Sequence, residues 1–469
     1  MIYLILTIIR TVYQIKGRIS CRTKMKRSLK LARRLLSENC AKLVVFIKGI
    51  IHSEDFITQN RQNPSDFTRQ RKLSFSILIL FLINLIKGSY QDELDHFFKA
   101  VFKCDVAKRF VSKAALAKAR MKLKYQAFID LNSSLINYFY QNFQTLTWNG
   151  LNLLAIDGTT IQLPRIEVIS KHFGAWKPRQ GDECPMARVS QMFDPLNKLS
   201  VHAIIEPKET GERELAAFHC LKLMPGDLLL LDRGYPAYWL FNLILSLNSN
   251  FCARVQLKRW KVVRKFYHSG MKEKIIELST VPTSIKKCKE LGLDPIPLKL
   301  RLIRIELEHG ETEILITSLI DCETYPHEQF ADLYHLRWPV EEDYKTMKQW
   351  IEVENFSGKS VLSVFQDFYA RVFAKNMATA LAFQTWPLIE KNTQHRRYFY
   401  QANFAQTLSK LKDVIPLLFI RTKRNVLKIL DSLVEIIIDT LEPVRPGRKF
   451  ERNFNNRSGR FHYCYKPLR

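Results

Sequence analysis

Three acidic residues stand where they could hold divalent metal ions. Asp157 and Asp232 directly follow the short apolar runs Leu151–Ile156 and Leu228–Leu231, which are typical of buried strands. Glu341 lies in a segment with helical spacing. Two aspartates at strand ends and a helical glutamate are the donors that a two-metal phosphoryl-transfer site requires, with two Mg²⁺ ions roughly 4 Å apart. The pattern therefore predicts metal-assisted cleavage or transfer of a phosphodiester.

Three neighbours of Glu341 are suited to holding a phosphate. In one continuous helix, Tyr334, Arg337 and Lys348 would share a face with the glutamate because of their spacing along the chain. That face would present a metal ligand beside two cations and a phenol. Alternatively, Pro339 begins the helix, so that Tyr334 and Arg337 precede it and the acids of the first turn only complement the helix dipole.

Each of these residues also has a plainer structural explanation. A single aspartate after a strand is more often a turn former or a helix cap than a metal ligand. Arg337 and Glu341 are four residues apart and could simply pair on a solvent-exposed face. Taken singly, the plain explanation is favoured for each residue, whereas the joint pattern favours a catalytic site.

The chain carries a large excess of positive charge. Its 469 residues include 73 lysines and arginines against 45 aspartates and glutamates, a formal net charge of +28. Such a surplus repels itself unless an anionic partner neutralises it, and nucleic acid is the favoured partner. A hydrophobic content of 46% with only 16 glycines excludes a disordered or fibrous chain.

A membrane is the disfavoured partner. The longest apolar run, residues 73–86, has about 14 residues, whereas a spanning helix needs about 20. The apolar residues 1–9 have no basic residues before them and no cleavage site after them, so we expect no secretory signal. The nine cysteines are scattered without a C-x-x-C pair, which predicts a reducing compartment, no disulfide framework and no zinc knuckle.

The elements that must position the acidic residues follow one another in order. Apolar spacing near 3.6 residues predicts helices over residues 35–145. From Leu151 the pattern predicts strand, hairpin, helix, strand and helix, which indicates a mixed sheet flanked by helices. Alternation over residues 250–320 predicts a β-rich insertion, and helical periodicity resumes at about His327. The basic stretch Lys16–Arg34 is either a solvated arm or a phosphate-contacting segment.

We therefore divide the chain into six parts. They are a basic N-terminal segment (1–60), a helical DNA-binding domain (61–148), a catalytic core (149–249 and 321–390), a β-rich insertion (250–320), a helical C-terminal region (391–442) and a basic tail (443–469).

The spacing Tyr334-x2-Arg337-x3-Glu341-x6-Lys348 resembles the Tyr-Arg-Glu-Lys signature of the bacterial insertion-sequence transposases known as the insertion-sequence-four family. The segments Asp157-Gly158-Thr159 and Asp232-Arg233-Gly234-Tyr235 resemble the first and second catalytic aspartate motifs of that family. The stretch 211–216 and the segment that begins at Arg71 are also similar, so that the resemblance covers residues 60 to 390.

The resemblance implies an α/β fold: a ribonuclease-H-like mixed-sheet catalytic core with a β-rich insertion, preceded by a helical N-terminal domain and followed by a helical C-terminal region. It also implies a DDE transposase that binds terminal inverted repeats and catalyses metal-dependent strand cleavage and strand transfer. Mg²⁺ is the expected cofactor, with Mn²⁺ as the alternative. On this mapping the metal ligands and catalytic residues are Asp157, Asp232 and Glu341, and the DNA-binding residues are Tyr334, Arg337 and Lys348.

The partners implied by the resemblance are double-stranded DNA, as transposon ends and as target, and a second copy of the chain in a homodimer that pairs two ends. We expect no membrane association and a location in the bacterial cytoplasm on DNA. In relatives of that family a tryptophan of the insertion stacks on a flipped base during hairpin formation. Glu313 stands at the matching position, and Trp260, elsewhere in the insertion, either substitutes for that tryptophan or belongs to the core.

Two other functions remain open from the sequence. One is a nuclease on the same core that cuts DNA without joining it. The other is a DNA-binding protein without catalysis, whose carboxylates are structural and whose basic surface alone binds DNA.

Overall fold

The computed structural model describes residues 18–177, 182–280, 282–307 and 310–445, with side chains described from residue 33 onward. These residues form two compact units. We call them the helical unit, which comprises the described residues up to Phe139, 355–358 and those from Leu362 on, and the sheet unit, which comprises the described residues of 140–354 and 359–361.

The N-terminal part of the helical unit consists of helices, as the apolar spacing predicts. The helices are α1 (Arg18–His52), α2 (Glu54–Asn60), α3 (Phe75–Leu82), α4 (Tyr90–Phe102), α5 (Lys113–Arg120) and α6 (Gln126–Asn142). The apolar run 73–86 contains the short buried helix α3. The Ser112 hydroxyl accepts a hydrogen bond from the Ala115 amide at 3.2 Å and so caps α5. Among the described helices, none is long and apolar enough to cross a membrane.

The sheet unit is built on one large mixed sheet with helices between its strands. Its strands are β1 (Asn152–Gln162), β2 (Ala175–Trp176), β3 (Cys184–Asp194), β4 (Leu199–Pro207), β5 (Asp227–Leu231), β6 (Asn250–Val255), β7 (Glu273–Leu278), β8 (Leu298–Glu306) and β9 (Thr312–Thr317). Its helices are α7 (Glu167–Phe173), α8 (Glu212–Cys220), α9 (Tyr238–Ser246), α10 (Lys261–His268), α11 (Pro282–Glu290), α12 (Gln329–His335) and α13 (Pro339–Gln349).

The order of strands in the sheet is β2-β3-β1-β5-β6-β9-β8-β7, with β4 beside β3. The pairs β1–β5 and β5–β6 are parallel, and the remaining pairs are antiparallel. Because β5 is covered on both edges and both faces, every residue of Asp227–Leu231 is buried. Helix α9 packs on the sheet through Phe241, whose ring stacks on that of Phe251 at 4.0 Å between centroids. The predicted mixed α/β sheet flanked by helices is confirmed.

Residues 250–320 contain two helices that the alternating pattern did not predict. The strands of this segment continue the same sheet, but α10 and α11 lie between them. Val263 and Phe266 are the buried residues of α10, and most of its other residues are basic. Two buried positions are too few to show helical periodicity in the sequence. Trp260 precedes α10 and packs against the hydrophobic core of the sheet, 6.0 Å from the Phe241 ring. It is therefore partly buried against the core, which favours the second of the two alternatives left open.

The C-terminal part of the helical unit contains α14 (Val361–Phe383), α15 (Trp386–Thr393), α16 (Phe404–Leu411), α17 (Ile415–Ile420) and α18 (Lys423–Asp439). The predicted helical periodicity omits a two-stranded antiparallel sheet of β10 (Phe399–Ala402) and β11 (Leu441–Val444). Most of the predicted basic tail, residues 446–469, lies outside the described residues.

Candidate active site

The register of two parallel strands places Asp157 and Asp232 side by side. The ladder between β1 and β5 ends at the pair Ile156↔Leu231, and the two aspartates are the next residue of each chain segment. Neighbouring strands are about 4.8 Å apart, so the two side chains start from adjacent backbone positions. The prediction that Asp157 ends its strand needs correction, because β1 continues to Gln162. Only the pairing with β5 ends there, while pairing with β3 continues beyond it.

Asp157 lies in a buried environment with other negative charges nearby. Burial is the main cause that raises the pKa of its carboxyl to about 6, and the charges of Glu341 and Asp232 raise it further. The Gly158 amide and the Arg337 guanidinium act in the opposite direction. Glu341 and Asp232 are therefore close enough to Asp157 to influence its ionisation.

Asp232 is held by two hydrogen-bond donors. Arg254 Nη2 donates to its Oδ1 at 3.0 Å, and the Tyr334 hydroxyl donates to the same oxygen at 3.2 Å. Burial raises the pKa of Asp232, but the Arg233 amide, the charges of Arg254 and Arg337 and the Tyr334 hydroxyl outweigh it. The result is a pKa below the ordinary value of 3.8, so Asp232 is ionised at neutral pH.

Glu341 stands in the first turn of α13 and pairs with Arg337, whose Nη2 donates to Oε1 at 2.8 Å. Helix α12 ends at His335 and α13 begins at Pro339, so the segment is not one helix and the alternative reading of Pro339 is correct. The residues between are joined by tight turns, in which the Arg337 amide donates to the Tyr334 carbonyl at 3.1 Å. The break is therefore small, and the Arg337 guanidinium still lies 5.9 Å from the Tyr334 ring centroid.

Lys348, at the other end of α13, reaches the continuation of β1. Its Nζ donates to Thr159 Oγ1 at 3.0 Å and to the Thr160 carbonyl at 2.8 Å. Burial lowers the pKa of Lys348, although the charge of Glu354 acts against this. These hydrogen bonds connect α13 to the strand that carries Asp157. The lysine side chain is half-buried, so it stabilises this packing and is also partly accessible to solvent.

Buried polar side chains form hydrogen bonds with the backbone carbonyl of Asp157. The Tyr344 hydroxyl donates to the Asp157 carbonyl at 2.7 Å, and the Ser190 hydroxyl approaches the same oxygen at 3.5 Å. His219 Nε2 lies 3.0 Å from Ser190 Oγ, and His219 Nδ1 lies 3.0 Å from His202 Nδ1. Burial lowers the pKa of His219 well below 6.5, so this network is neutral.

The sequence analysis missed Arg254, which connects two acids. By register, Leu231 lies beside Ala253, so Arg254, the next residue of β6, lies at the level at which Asp232 follows β5. Its Nη1 also donates to Glu313 on β9, so a row of charges crosses neighbouring strands. A charged residue inside an otherwise apolar strand is the signal that could have identified it.

The donor set fits a hard divalent cation, although the acids are separately paired. Among the residues that the structure describes, no three His, Cys, Asp or Glu side chains form a group that could hold a metal ion. Asp232 and Glu341 each pair with an arginine, which offsets the repulsion between the carboxylates. Carboxylate oxygens are the ligands that Mg²⁺ takes, so the three acids are suitable in type, although their arrangement in the structure does not form a metal site.

Buried hydrogen-bond donors face the same region. Arg254 Nε, Arg337 Nε and the Tyr235 hydroxyl are buried and have no hydrogen-bond partner among the described residues. Buried donors usually find acceptors. Phosphate oxygens are acceptors that guanidinium groups bind well. The region therefore combines carboxylates with cationic donors that are chemically suited to phosphate oxygens.

The comparisons with known proteins find similarity to transposases. Residues 148–377 match the family model described as the transposase DDE domain. The chain is 23% identical over 320 residues to the transposase InsG for insertion sequence element IS4 of Escherichia coli K12, covering 66% of this chain and 70% of that protein. It also has a loose likeness to the cryo-EM structure of the piggyBac transposase synaptic complex with hairpin DNA, with a TM-score of 0.42, 9% identity and coverage of 83% and 85% of the two chains.

Proposed function

We propose that this chain, which belongs to the DDE transposases of the insertion-sequence-four family, binds the terminal inverted repeats of its insertion sequence and performs strand cleavage and strand transfer there. The observation that carries the proposal is the β1–β5 register, which starts Asp157 and Asp232 from adjacent positions, together with the charge of Glu341 acting on Asp157. No other described cluster combines carboxylates, arginines and buried donors without partners in this way.

Each side chain has a defined part in this proposal. Asp157, Asp232 and Glu341 hold the cations, and two bound Mg²⁺ ions would supply an activated nucleophile and stabilisation of the leaving oxygen. Arg337 and Tyr334 bind phosphate oxygens beside Glu341. Lys348 is half-buried and keeps α13 against β1, and it adds positive charge where the DNA backbone lies.

The finer parts of the proposal concern architecture and partners. We propose a ribonuclease-H-like arrangement for the mixed sheet, the six-part division predicted from the sequence, and a homodimer that pairs two transposon ends. The net charge of +28 supports double-stranded DNA as the partner. A bacterial cytoplasmic location and Mg²⁺, with Mn²⁺ as the alternative, complete the proposal.

A nicking assay tests the enzymatic part. DNA that carries the terminal repeats of the element is incubated with the full chain and Mg²⁺, and nicks at the repeat ends are mapped. We expect nicking by the unaltered protein, and none by Asp157→Asn or Asp232→Asn, with binding of the repeats retained. Asp182→Asn is the matched control, because its carboxylate is 86% exposed and pairs with Arg165 on the surface of the same unit. Binding without nicking by the unaltered protein would reduce the function to DNA binding.

Joining of the cut end to a plasmid separates transposition from simple cleavage. We expect Mg²⁺-dependent joining products from precut end DNA. Efficient nicking without joining would identify a nuclease on the same core instead.

A further inference from the structure

A basic surface without acidic residues surrounds α10, between β6 and β7 of the sheet unit. Residues 233–272 contain no aspartate or glutamate. We give the name α10 surface to five exposed cations of this segment, which are Lys258, Arg259, Lys261, Arg264 and Lys265. Such a concentration of positive charge repels itself unless an anionic partner neutralises it.

Helix α10 carries its cations and its buried apolar residues on opposite faces. Because successive residues of a helix are about 100° apart, Lys261, Arg264 and Lys265 lie within about 100° of one another. Val263 and Phe266 point the other way, and both are buried in the hydrophobic core of the sheet. The apolar face thus fixes the helix on the sheet, and the basic face is directed to solvent.

The cations of the α10 surface are not neutralised within the protein. In the part of the chain that the structure describes, none of the five pairs with an acid. By contrast, Lys287 in the neighbouring helix α11 pairs with Glu290 at 3.2 Å. Lys261 and Lys265 are four residues apart, a spacing at which like charges destabilise a helix. The arrangement is therefore unfavourable in the free protein and is typical of a surface that binds an anion.

The basic surface continues to the loop that follows Asp232. Burial lowers the pKa of Arg213 on α8, and the charge of Arg259 lowers it further, so these two like charges lie near each other. Arg213 Nε donates to the Gly234 carbonyl at 3.0 Å, two residues after Asp232. The α10 surface is therefore next to the candidate active site and extends away from it.

We propose that the α10 surface binds the phosphate backbone of double-stranded DNA outside the candidate active site. This inference rests on the proposed function, since it names a second region that holds the same DNA partner. A helix rises about 1.5 Å per residue, so Lys261 and Lys265 are about 6 Å apart along its axis. That distance corresponds to about two phosphates of one strand. Because phosphate contacts carry no sequence information, the surface should bind any duplex.

The salt dependence of duplex binding by the full chain tests the inference. The test variant combines Lys261→Gln, Arg264→Gln and Lys265→Gln, and fluorescence anisotropy measures its affinity for a random duplex between 50 and 200 mM salt. Each phosphate contact contributes about 0.9 to the slope of log affinity against log salt. We therefore expect a slope that is shallower by about two to three units, and binding that is weaker by about tenfold or more at the lowest salt.

Three lysines of α11 provide a matched control in the same segment of the sheet unit. The control variant removes the same formal charge by combining Lys286→Gln, Lys287→Gln and Lys289→Gln. Its slope should stay within about half a unit of the unaltered value, because these charges lie outside the proposed contact and are screened by salt. The test variant should melt at or above the temperature of the unaltered protein, since it loses like-charge repulsion on an exposed face.

Protection of lysines from acetylation tests the contact without any substitution. The unaltered protein is acetylated with and without the random duplex, and the modified lysines are identified by mass spectrometry. DNA should slow the reaction of Lys261 and Lys265 several-fold. Lys286 and Lys289 are also exposed and should react at the same rate in both samples.

The outcomes separate this inference from the proposed function. An unchanged salt slope in the test variant, or unprotected Lys261 and Lys265, would show that the α10 surface is only solvated. The proposed function would still stand if the unaltered protein nicks terminal-repeat DNA. If the unaltered protein binds no duplex, both are wrong. Vesicles of anionic phospholipid are the alternative anionic surface, and a test variant that loses vesicle binding but retains duplex binding would overturn the inference.

Discussion

Asp157 and Asp232 occupy adjacent positions on parallel strands, but their surroundings shift their pKa values in opposite directions. Burial with neighbouring acids raises the pKa of Asp157 to about 6. Asp232 accepts hydrogen bonds from Arg254 and Tyr334, and its pKa is lowered. In the absence of a cation, the folded structure thus disfavours the ionised form of Asp157. It favours the ionised form of Asp232, which accepts two hydrogen bonds.

We predict opposite effects of the two asparagine substitutions on the stability of the metal-free protein. At pH 7.5 in EDTA, Asp157→Asn should raise the free energy of unfolding by on the order of 2 kcal/mol, because it removes a charge that the folded state disfavours. Asp232→Asn should lower it by about 1 kcal/mol, because buried donors lose a charged acceptor. Urea unfolding measures both, and a loss of stability in Asp157→Asn would contradict this description of its environment.

The pH dependence has a defined sign. For Asp157 the unfolded carboxyl ionises at its ordinary pKa of 3.8 and the folded one at about 6. Between these values the folded state holds more protons, so the stability contributed by this group is full below 3.8 and is lost as the pH rises through about 6. The gain from Asp157→Asn should therefore grow over that interval and be flat above it. An unchanged gain across the interval would assign the effect to another group.

Tyr235→Phe tests whether the unpartnered hydroxyl serves the bound state. Because the hydroxyl is buried without an acceptor among the described residues, its removal should leave the free energy of unfolding unchanged or raise it by up to about 1 kcal/mol. Nicking should nevertheless slow several-fold if the hydroxyl binds an oxygen during the reaction. Tyr344→Phe is the control for stability, since its hydroxyl donates to the Asp157 carbonyl and its loss should destabilise the protein.

At the scale of elements, the sequence predicted the strands better than their ends. The apolar run before Asp232 matches β5, and the run before Asp157 matches the buried half of β1. The continuation of β1 through Thr159 and Thr160 was missed, because polar residues in a strand are recognisable only once β3 covers the other edge. Helices α10 and α11 were missed for a related reason, since few of their residues are buried.

The segment from Tyr334 to Lys348 shows the same difficulty in predicting where an element begins and ends. The sequence left open whether one helix runs from Tyr334 to Lys348 or a new helix begins at Pro339, and the structure has the second arrangement. The spacing nevertheless identified residues that meet in space, because Arg337 reaches both Glu341 and the Tyr334 ring. Arg254 was not predicted as a neighbour of Asp232, since their proximity depends on strand register that one sequence does not reveal.

Alanine substitutions of two lysines in α13 should distinguish Lys348, which stabilises the packing of the helix, from Lys345, which lies on the surface. Lys348→Ala should lower the melting temperature, because Thr159 and the Thr160 carbonyl lose their donor. It should also weaken end binding and reduce the salt slope by about one unit at most. Lys345→Ala is the control, because its Nζ pairs with exposed Glu342 and its loss should leave the melting temperature unchanged. Equal melting temperatures for the two variants would show that Lys348 does not stabilise the packing of α13 against β1.

At the scale of the whole molecule, charge is the property that the sequence gives most directly. A net charge of +28 predicts strong binding of any duplex at low salt. Affinity for unrelated DNA should fall steeply between 50 and 200 mM salt, by about three orders of magnitude if six phosphates are neutralised. Fluorescence anisotropy with a random duplex measures this. A flat salt dependence would mean that the basic residues do not contact phosphates.

The described residues divide into two compact units. The sheet unit contains Asp157, Asp232 and Glu341 and lies within the residues that match the transposase DDE domain for most of its length. The sequence could predict the helices of residues 35–145 and the buried strands before Asp157 and Asp232. It could not predict that residues 355–358 and the C-terminal helices pack into one compact unit with the N-terminal helices, because such contacts join distant parts of the chain.

The most direct measurement of the central claim is single-turnover cleavage of terminal-repeat DNA by two neighbouring glutamate variants in Mg²⁺. Glu341 acts on Asp157 through its charge, whereas Glu342 is exposed and pairs with Lys345. We predict that Glu341→Gln binds the repeats and yields no cut strand, while Glu342→Gln cuts at the rate of the unaltered protein. Cutting by Glu341→Gln at the unaltered rate would contradict the assignment of the three carboxylates to one site.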